Sequence, residues 1–210
     1  MAMTTYDANF WEKQYQSADP SWGTTPNAPV VATIPRLHLQ PGRALELGAG
    51  HGGDALWLAA QGWAVTALDV AQTAVDRIAR RAAEEGLAAR VTAVRRDVTV
   101  DPLPTGPFDL VWGSFFYAPD REAVLRRAAE SVNPGGALLI VDHGSVAPWS
   151  WSSASDHELP TPAELAESLG LGPDWTPEVL EAPKRIATGP NGQRAEVTDT
   201  IVGLRRAQQP

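Results

Sequence analysis

The sequence predicts an α/β fold built on a doubly wound parallel sheet. Short, continuously apolar runs alternate with helical periodicity between residues 44 and 141, as expected for strands that crossover helices bury on both faces. Near the C-terminus, two extended runs flank an Asn-Gly pair, which is a strong hairpin signal. The predicted strands are 44–47, 64–70, 91–94, 108–112 and 137–141, followed by an antiparallel hairpin of 179–187 and 195–204.

Three helices are predicted from periodicity and caps. An apolar stripe over residues 71–82 predicts a helix that ends at Gly86, because glycine adopts the left-handed conformation of a helix end. A second stripe, formed by Val124, Ala128 and Val132, predicts a helix that ends at the Asn-Pro-Gly-Gly run 133–136. The run Thr-Pro-Ala-Glu at 161–164 predicts a third helix, because it supplies an N-cap, a first-turn proline and a capping box.

Length and composition favour a single domain over residues 1–210 in a cytoplasmic protein. The net charge of −8 and the pI near 5.0 disfavour nucleic acid and anionic membranes as partners. No apolar run approaches the roughly 20 residues of a membrane helix, and residues 1–10 lack the features of a signal peptide. Cysteine is absent, which excludes disulfides and thiolate catalysis. We expect a monomer or homodimer that acts on a small molecule.

The sharpest motif joins the first predicted strand to a helix, with the sequence Glu-Leu-Gly-Ala-Gly-His-Gly-Gly-Asp at 46–54. Glycines let a ligand approach the backbone closely, and a helix N-terminus presents unpaired N–H groups. Asp69 ends the next strand, 21 residues after Gly48, where a carboxylate can accept hydrogen bonds from both hydroxyls of an adenosine ribose. The motif therefore predicts a site for an adenosine-containing cofactor.

The glycines alone fit two classes of cofactor. Gly48, Gly50 and Gly53 satisfy the dinucleotide pattern G-x-G-x-x-G, which is consistent with a nicotinamide-dependent oxidoreductase. Gly48, Gly50 and Gly52 satisfy G-x-G-x-G, the pattern of S-adenosylmethionine sites. A protein that binds S-adenosylmethionine without catalysis is a third possibility.

Acidic residues around the loop favour S-adenosylmethionine. Glu46 precedes the first glycine by two residues and suits a ligand with a positively charged amino group better than a pyrophosphate. Asp97 follows the third predicted strand, where it can accept from the exocyclic amine of adenine, and Val98 can supply a backbone donor. The predicted C-terminal hairpin is also foreign to a plain nicotinamide-binding half.

These motifs resemble those of the class I S-adenosylmethionine-dependent methyltransferases. The resemblance rests on the run 44–70, Arg-Asp-Val at 96–98, Phe-Asp-Leu-Val at 108–111 and Asn-Pro-Gly-Gly at 133–136. It implies a Rossmann-like seven-stranded sheet of order 3-2-1-4-5-7-6, which accounts for the hairpin. It also implies that S-adenosyl-L-methionine donates the methyl group and that S-adenosyl-L-homocysteine is a product.

A narrower resemblance is to the tellurite-resistance and thiopurine methyltransferase branch, carried by 10–12, 22–27, 53–59 and 185–206. It implies a heteroaromatic or soft S, O, N or chalcogen nucleophile as acceptor. It also implies that an N-terminal helical arm, residues 1–40, forms a lid over the cofactor. The expected cofactor-binding residues are Trp11, Trp22, Glu46, Gly48, Ala49, Gly50, Gly52, Asp69, Val70, Asp97, Val98 and Ser114.

Four residues are candidates for catalysis or acceptor binding. His143 and Tyr117 follow the fifth and fourth predicted strands, at the carboxyl edge where open α/β sheets bind ligands. Arg185 and Arg194 match the arginines that flank the hairpin turn in the tellurite-type pattern. No histidine spacing matches a metal signature, so we predict no metal. A Trp-containing loop over 145–160 is predicted to cover the substrate cleft.

Overall fold

The computed structural model describes residues 6–21, 23–150, 159–189 and 192–208. Within these ranges the strands are β1 (Arg43–Leu47), β2 (Ala64–Asp69), β3 (Val91–Arg95), β4 (Phe108–Ser114), β5 (Val132–His143), β6 (Trp175–Glu181), β7 (Lys184–Thr188) and β8 (Arg194–Arg206). They form a sheet of order β3-β2-β1-β4-β5-β8-β6, with β7 also paired to β8. β1 to β5 run parallel, and β8 runs antiparallel to β5. The predicted doubly wound sheet with a C-terminal antiparallel pair is confirmed.

The last edge of the sheet differs in detail from the prediction, because the described residues form eight strands rather than seven. β6 and β7 lie end to end along β8, pairing with 201–206 and 194–198 respectively. Pro183 falls between them, and proline has no N–H to donate to a ladder. Its carbonyl still accepts from the backbone N–H of Asp199 at 3.0 Å. Counted as one interrupted strand, this edge gives the expected order 3-2-1-4-5-7-6.

Helices cover both faces of the sheet. They are α1 (Ala8–Ser17), α2 (Ala28–Thr33), α3 (Gly53–Ala60), α4 (Gln72–Glu84), α5 (Arg121–Glu130) and α6 (Pro162–Ser168), with a 3₁₀ turn at Ile34–Leu37. One apolar layer packs Ile78 of α4 with Trp112 of β4, and the other contains Leu125 of α5 and Leu165 of α6. None of the described helices combines the length and the apolar character needed to cross a bilayer.

All three predicted helices are present, and the predicted end of one of them is wrong. α4 precedes Gly86, which has a φ of +73°, and Thr161 and Glu164 form the capping box of α6. α5 ends at Glu130, before the predicted end, because Val132 pairs with β4 instead of continuing the helical stripe. The run 133–136 therefore lies in β5. The predicted hairpin forms between β7 and β8, and its turn residues 190 and 191 lie outside the described ranges.

Candidate active site

The loop between β1 and α3 depends on glycine. Gly48, Gly50 and Gly52 have φ values of +66°, +56° and +79°, a region that side chains with a Cβ rarely adopt. A Cβ at Gly48 would lie 2.7 Å from the ring of Phe116, and one at Gly52 would lie 2.7 Å from Ile78 Cγ1. The loop backbone is therefore tightly packed, with no room for a side chain at Gly48 or Gly52.

Asp69 lies at the carboxyl end of β2, only 4% exposed, beside the glycine loop. Its carboxylate accepts from the backbone N–H groups of Gly50 and Ala71, each at 2.9 Å. Each carboxylate oxygen can still accept a further hydrogen bond. Burial raises the pKa of Asp69 to about 6. The loop and Asp69 thus form one hydrogen-bonded unit that can present acceptors to a ribose.

Glu46 is a buried acid behind the loop, 2% exposed and opposite Trp112 in the register of β1 and β4. Its Oε2 has no hydrogen-bond partner among the described residues. Burial, with the nearby charges of Asp54 and Asp69, raises the pKa of Glu46 well above its usual range. A buried acceptor without a partner is costly, and a cationic amino group would both pair with it and stabilise its charged form.

Helix α1 covers the glycine loop and lines a cavity of about 120 Å³. Tyr15 Oη lies 3.1 Å from the position of a Cβ built on Gly50, and Trp11 and Tyr15 stack with ring centroids 6.1 Å apart. Burial and the charges of Asp69 and Glu46 raise the pKa of Tyr15 well above its usual range. Six of the expected cofactor-binding residues line this cavity, namely Trp11, Gly48, Asp69, Val70, Asp97 and Val98.

The other expected cofactor-binding residues have different positions. Ala49, Gly50 and Gly52 belong to the loop but do not line the cavity, and Glu46 and Ser114 also lie outside its lining. Trp22 lies outside the described residues.

Asp97 makes a local turn. Its Oδ1 accepts from Thr99, at 3.0 Å from the backbone N–H and 2.5 Å from the hydroxyl. This turn holds Asp97 and Val98 against the cavity, as a contact with adenine requires.

Aromatic rings form the other side of the cavity. Tyr117 lies near Tyr6 and Trp11, with centroid separations of 5.8 and 6.3 Å. His143 stacks on Phe115 at 4.5 Å and lies 6.2 Å from Tyr117. Phe115 and Tyr117 line the cavity, whereas His143 lies behind them. This wall can hold a flat, apolar molecule by ring contacts.

Burial sets the protonation of both candidate groups in this wall. It raises the pKa of Tyr117 to about 12, with a smaller contribution from Asp142. It lowers the pKa of His143, an effect that Asp142 and Asp199 oppose and that Arg185 and Arg121 reinforce. At neutral pH both side chains are therefore uncharged, and the imidazole can accept a proton.

The two candidate arginines differ in their surroundings. Arg185 makes a bidentate ion pair with Asp199, from Nε at 2.6 Å and Nη2 at 3.0 Å. Asp199 is 1% exposed and pairs with His143 across β5 and β8. Arg194 pairs with Thr188 at the hairpin turn, about 16 Å along β8 from Asp199 at ~3.3 Å per residue. The structure therefore brings Arg185, but not Arg194, to the surroundings of His143.

Part of the aromatic cover is not among the residues predicted from the sequence. Tyr15 is one such residue, although it lies four residues after Trp11 and so shares a face of α1. Tyr6 and Arg96 also line the cavity. In the predicted loop lid, Trp149 contacts the hairpin, because its Cδ2 lies 2.6 Å from a Cβ built on Gly189. Residues 151–158 of that lid lie outside the described ranges.

Comparison with known proteins shows which domain this chain is similar to. Residues 44–136 match a family model described as a methyltransferase domain. The sarcosine/dimethylglycine N-methyltransferase of Halorhodospira halochloris is 37% identical over 101 residues, which is 47% of this chain and 36% of that protein. The chain thus spans little more than a third of this relative. With the sheet order and the glycine loop, these matches make residues 44–136 similar to class I S-adenosylmethionine-dependent methyltransferase domains.

Two proteins are similar to nearly the whole chain. One, named probable thiol methyltransferase 2, from Arabidopsis thaliana, is 27% identical over 202 residues and 89% of both chains. The crystal structure of TehB from Haemophilus influenzae superposes with a TM-score of 0.64 at 19% identity, covering 95% of this chain and 66% of that one. At that identity the superposition supports the fold alone.

Proposed function

We propose that this protein transfers a methyl group from S-adenosylmethionine to a small-molecule acceptor. The observation that carries the proposal is the pair of buried acids around the glycine loop, Asp69 beside Gly50 and Glu46 with its unpartnered Oε2. A ligand with a ribose diol and a charged amino group matches both acids. Asp69 would suit the ribose of NAD as well, but the pyrophosphate of NAD would bring negative charge towards buried Glu46, which is unfavourable.

The residues around the cavity fit the parts of this ligand in turn. Asp69 accepts from the ribose hydroxyls and Asp97 from the adenine amine. Glu46 lies outside the cavity lining and pairs with the amino group from behind the glycine loop. Val70 and Val98 provide apolar contacts, and Trp11 covers the ligand from α1. Methyl transfer from a sulfonium is an in-line displacement, so the chief task of these residues is to align donor and acceptor.

A heteroaromatic or soft nucleophile is the acceptor that the aromatic wall supports. Phe115, Tyr117 and Tyr6 offer ring faces near the cofactor cleft. The relative named as a thiol methyltransferase is similar over 89% of this chain, which supports a sulfur acceptor within this class. In this proposal the acceptor site extends beyond the cavity lining to His143, which is neutral at pH 7 because burial lowers its pKa and takes the proton of an acceptor that arrives protonated. Arg185 is neutralised by Asp199, which favours uncharged acceptors over oxyanions.

The proposal also covers the partner, the compartment and the oligomeric state of the protein. The net charge of −8 supports a small-molecule partner over nucleic acid. We propose a cytoplasmic enzyme that needs no metal and acts as a monomer or homodimer.

Calorimetry of the purified chain against S-adenosylmethionine, S-adenosylhomocysteine and NAD tests the cofactor. We expect micromolar binding of the first two and no binding of NAD, whereas binding of NAD alone would identify an oxidoreductase instead. Turnover is then assayed with thiols, phenols, heteroaromatic amines and oxyanions. Binding of S-adenosylmethionine with no methylated product from any acceptor class would indicate a non-catalytic binding protein.

A further inference from the structure

Helix α4 lacks an N-cap side chain of its own, although it begins two residues after Val70. Its N-cap residue is Ala71, which has no side-chain acceptor. Thr73 instead donates its backbone N–H to Glu12 Oε2 at 3.2 Å and its hydroxyl to Glu12 Oε1 at 2.5 Å. A carboxylate from α1 thus does the work of an N-cap and lies at the positive end of the α4 dipole.

Glu12 belongs to the same helix as the rings that cover the cofactor cleft. Trp11 and Tyr15 face the cavity beside the glycine loop. None of the residues of α1 is fully buried, so the helix is held by half-buried aromatic rings and by polar contacts. The bonds from Thr73 to Glu12 therefore anchor this arm to the helix that adjoins Asp69.

The cavity beneath α1 is small. Its volume of about 120 Å³ lies below the roughly 300–1,000 Å³ of sites that hold drug-sized ligands. A ligand as large as S-adenosylmethionine therefore needs more room than this cavity offers, and α1, which covers the cavity and has no fully buried residue, is the element best placed to move outward. The bonds from Thr73 to Glu12 are well placed to control that movement, because they join α1 to α4 close to Asp69, the proposed ribose acceptor.

We propose that Glu12 is a positioning residue that latches α1 over the cofactor cleft and sets the rate of exchange of the methyl donor and its product. The inference rests on the proposed function, because it assumes that S-adenosylmethionine binds here. With the latch closed, Trp11 and Tyr15 shield the glycine loop from water. With it open, α1 swings away and the ligand exchanges.

Dissociation of S-adenosylhomocysteine from the full chain, followed by stopped-flow competition, tests the latch. Changes at an N-cap alter an equilibrium by about two- to thirtyfold. We therefore expect Glu12→Ala, which removes both bonds, to speed dissociation roughly tenfold, and Thr73→Val, which keeps the backbone bond, roughly threefold. Thr73→Ser keeps the hydroxyl and retains the original rate. Lys13→Ala, at an exposed position of the same helix, is the matched control and leaves the rate unchanged.

A second variant separates a latch from a merely stabilising cap. Ala71→Ser places an N-cap within α4 itself, so it restores the melting temperature of Glu12→Ala. Fast dissociation that persists in this double variant supports the latch, and a return to the original rate overturns it. An unchanged rate in Glu12→Ala, with S-adenosylhomocysteine bound, also overturns it. If the original chain binds no S-adenosylhomocysteine, the proposed function fails first and the latch fails with it.

Discussion

The cofactor side and the acceptor side of the cleft are built in different ways. On the cofactor side the backbone dominates: Gly48 and Gly52 adopt positive φ values, and Asp69 accepts from loop N–H groups. On the acceptor side the wall consists of side chains from separate segments. These side chains are Tyr6, Trp11, Phe115, Tyr117 and His143.

The difference shows which kind of site a sequence discloses. A backbone-built site needs particular residues at fixed offsets within one segment, because only glycine tolerates the φ values and the close packing. A wall of side chains needs only rings that meet in space. Many sequences satisfy that condition, and substitutions there change the acceptor without changing the fold. We therefore expect perturbations of the cofactor side to abolish function and those of the acceptor side to tune it.

The largest effect is expected from Gly48→Ala. The added methyl group would lie 2.7 Å from the ring of Phe116, at a φ of +66°, so Phe116 must move into the cleft or the loop must change shape. We expect affinity for S-adenosylmethionine to fall by more than roughly a hundredfold by calorimetry, with a strain cost of about 1–2 kcal/mol in urea denaturation.

Gly86→Ala provides the matched control for that strain. Gly86 has a φ of +73°, and nothing lies within 4 Å of its Cβ position. We expect a similar loss of stability and no change in affinity. Equal affinities in the two variants would contradict the view that the glycine loop binds the cofactor.

On the acceptor side, His143→Gln is expected to lower kcat by about a hundredfold for acceptors that bind protonated, the usual scale for loss of a proton acceptor. Affinity for S-adenosylmethionine stays within about twofold. Because burial lowers the pKa of His143, the original enzyme loses activity only as pH falls below the usual histidine range. His38→Gln, at an exposed histidine, is the control, and an unchanged kcat in His143→Gln would leave that ring a packing role.

On the cofactor side of the cleft, we expect the affinity for S-adenosylmethionine to depend on pH through Asp69. Asp69 has a pKa raised to about 6 by burial, and the ribose requires its charged form. The contribution of Asp69 to the affinity for S-adenosylmethionine is therefore full well above pH 6 and falls as pH drops through 6, approaching tenfold per unit. Asp69→Asn weakens binding about tenfold at pH 7.5, one charge-assisted hydrogen bond. Measuring the Kd for S-adenosylmethionine between pH 5 and 8 checks both statements. If Asp69→Asn keeps the same dependence of Kd on pH, the titrating group is not Asp69.

The sequence disclosed the parallel sheet and the glycine loop because both depend on local pattern. It failed where partners lie far apart in the chain. Val132 fits the helical stripe of α5, yet its pairing with Phe108 in β4 places it in a strand. Arg185 matches a family motif, but the register of the hairpin, which no single segment determines, pairs it with buried Asp199. Tyr15 meets Gly50 only because α1 docks on α4, and no spacing predicts that contact.

The smallest effect is expected at the edge of the acceptor side, where Trp149 rests against Gly189. If the predicted loop over 145–160 covers the acceptor, this contact anchors it to the hairpin. Trp149→Ala is then expected to raise the acceptor KM about threefold, with kcat and cofactor affinity unchanged. Gly189→Ala, whose methyl group would displace the same ring, should reproduce the effect.

Ile186→Ala is the control for these variants, because Ile186 is 55% exposed on the same hairpin. An acceptor KM that stays constant in both anchor variants would remove the loop from the acceptor side. The aromatic wall would then consist only of rings from α1 and from the segment after β4. Selectivity for the acceptor would depend on the rings of α1, which the bonds to Glu12 hold in place. Substitutions of Glu12 would then change both the choice of acceptor and the rate of product release.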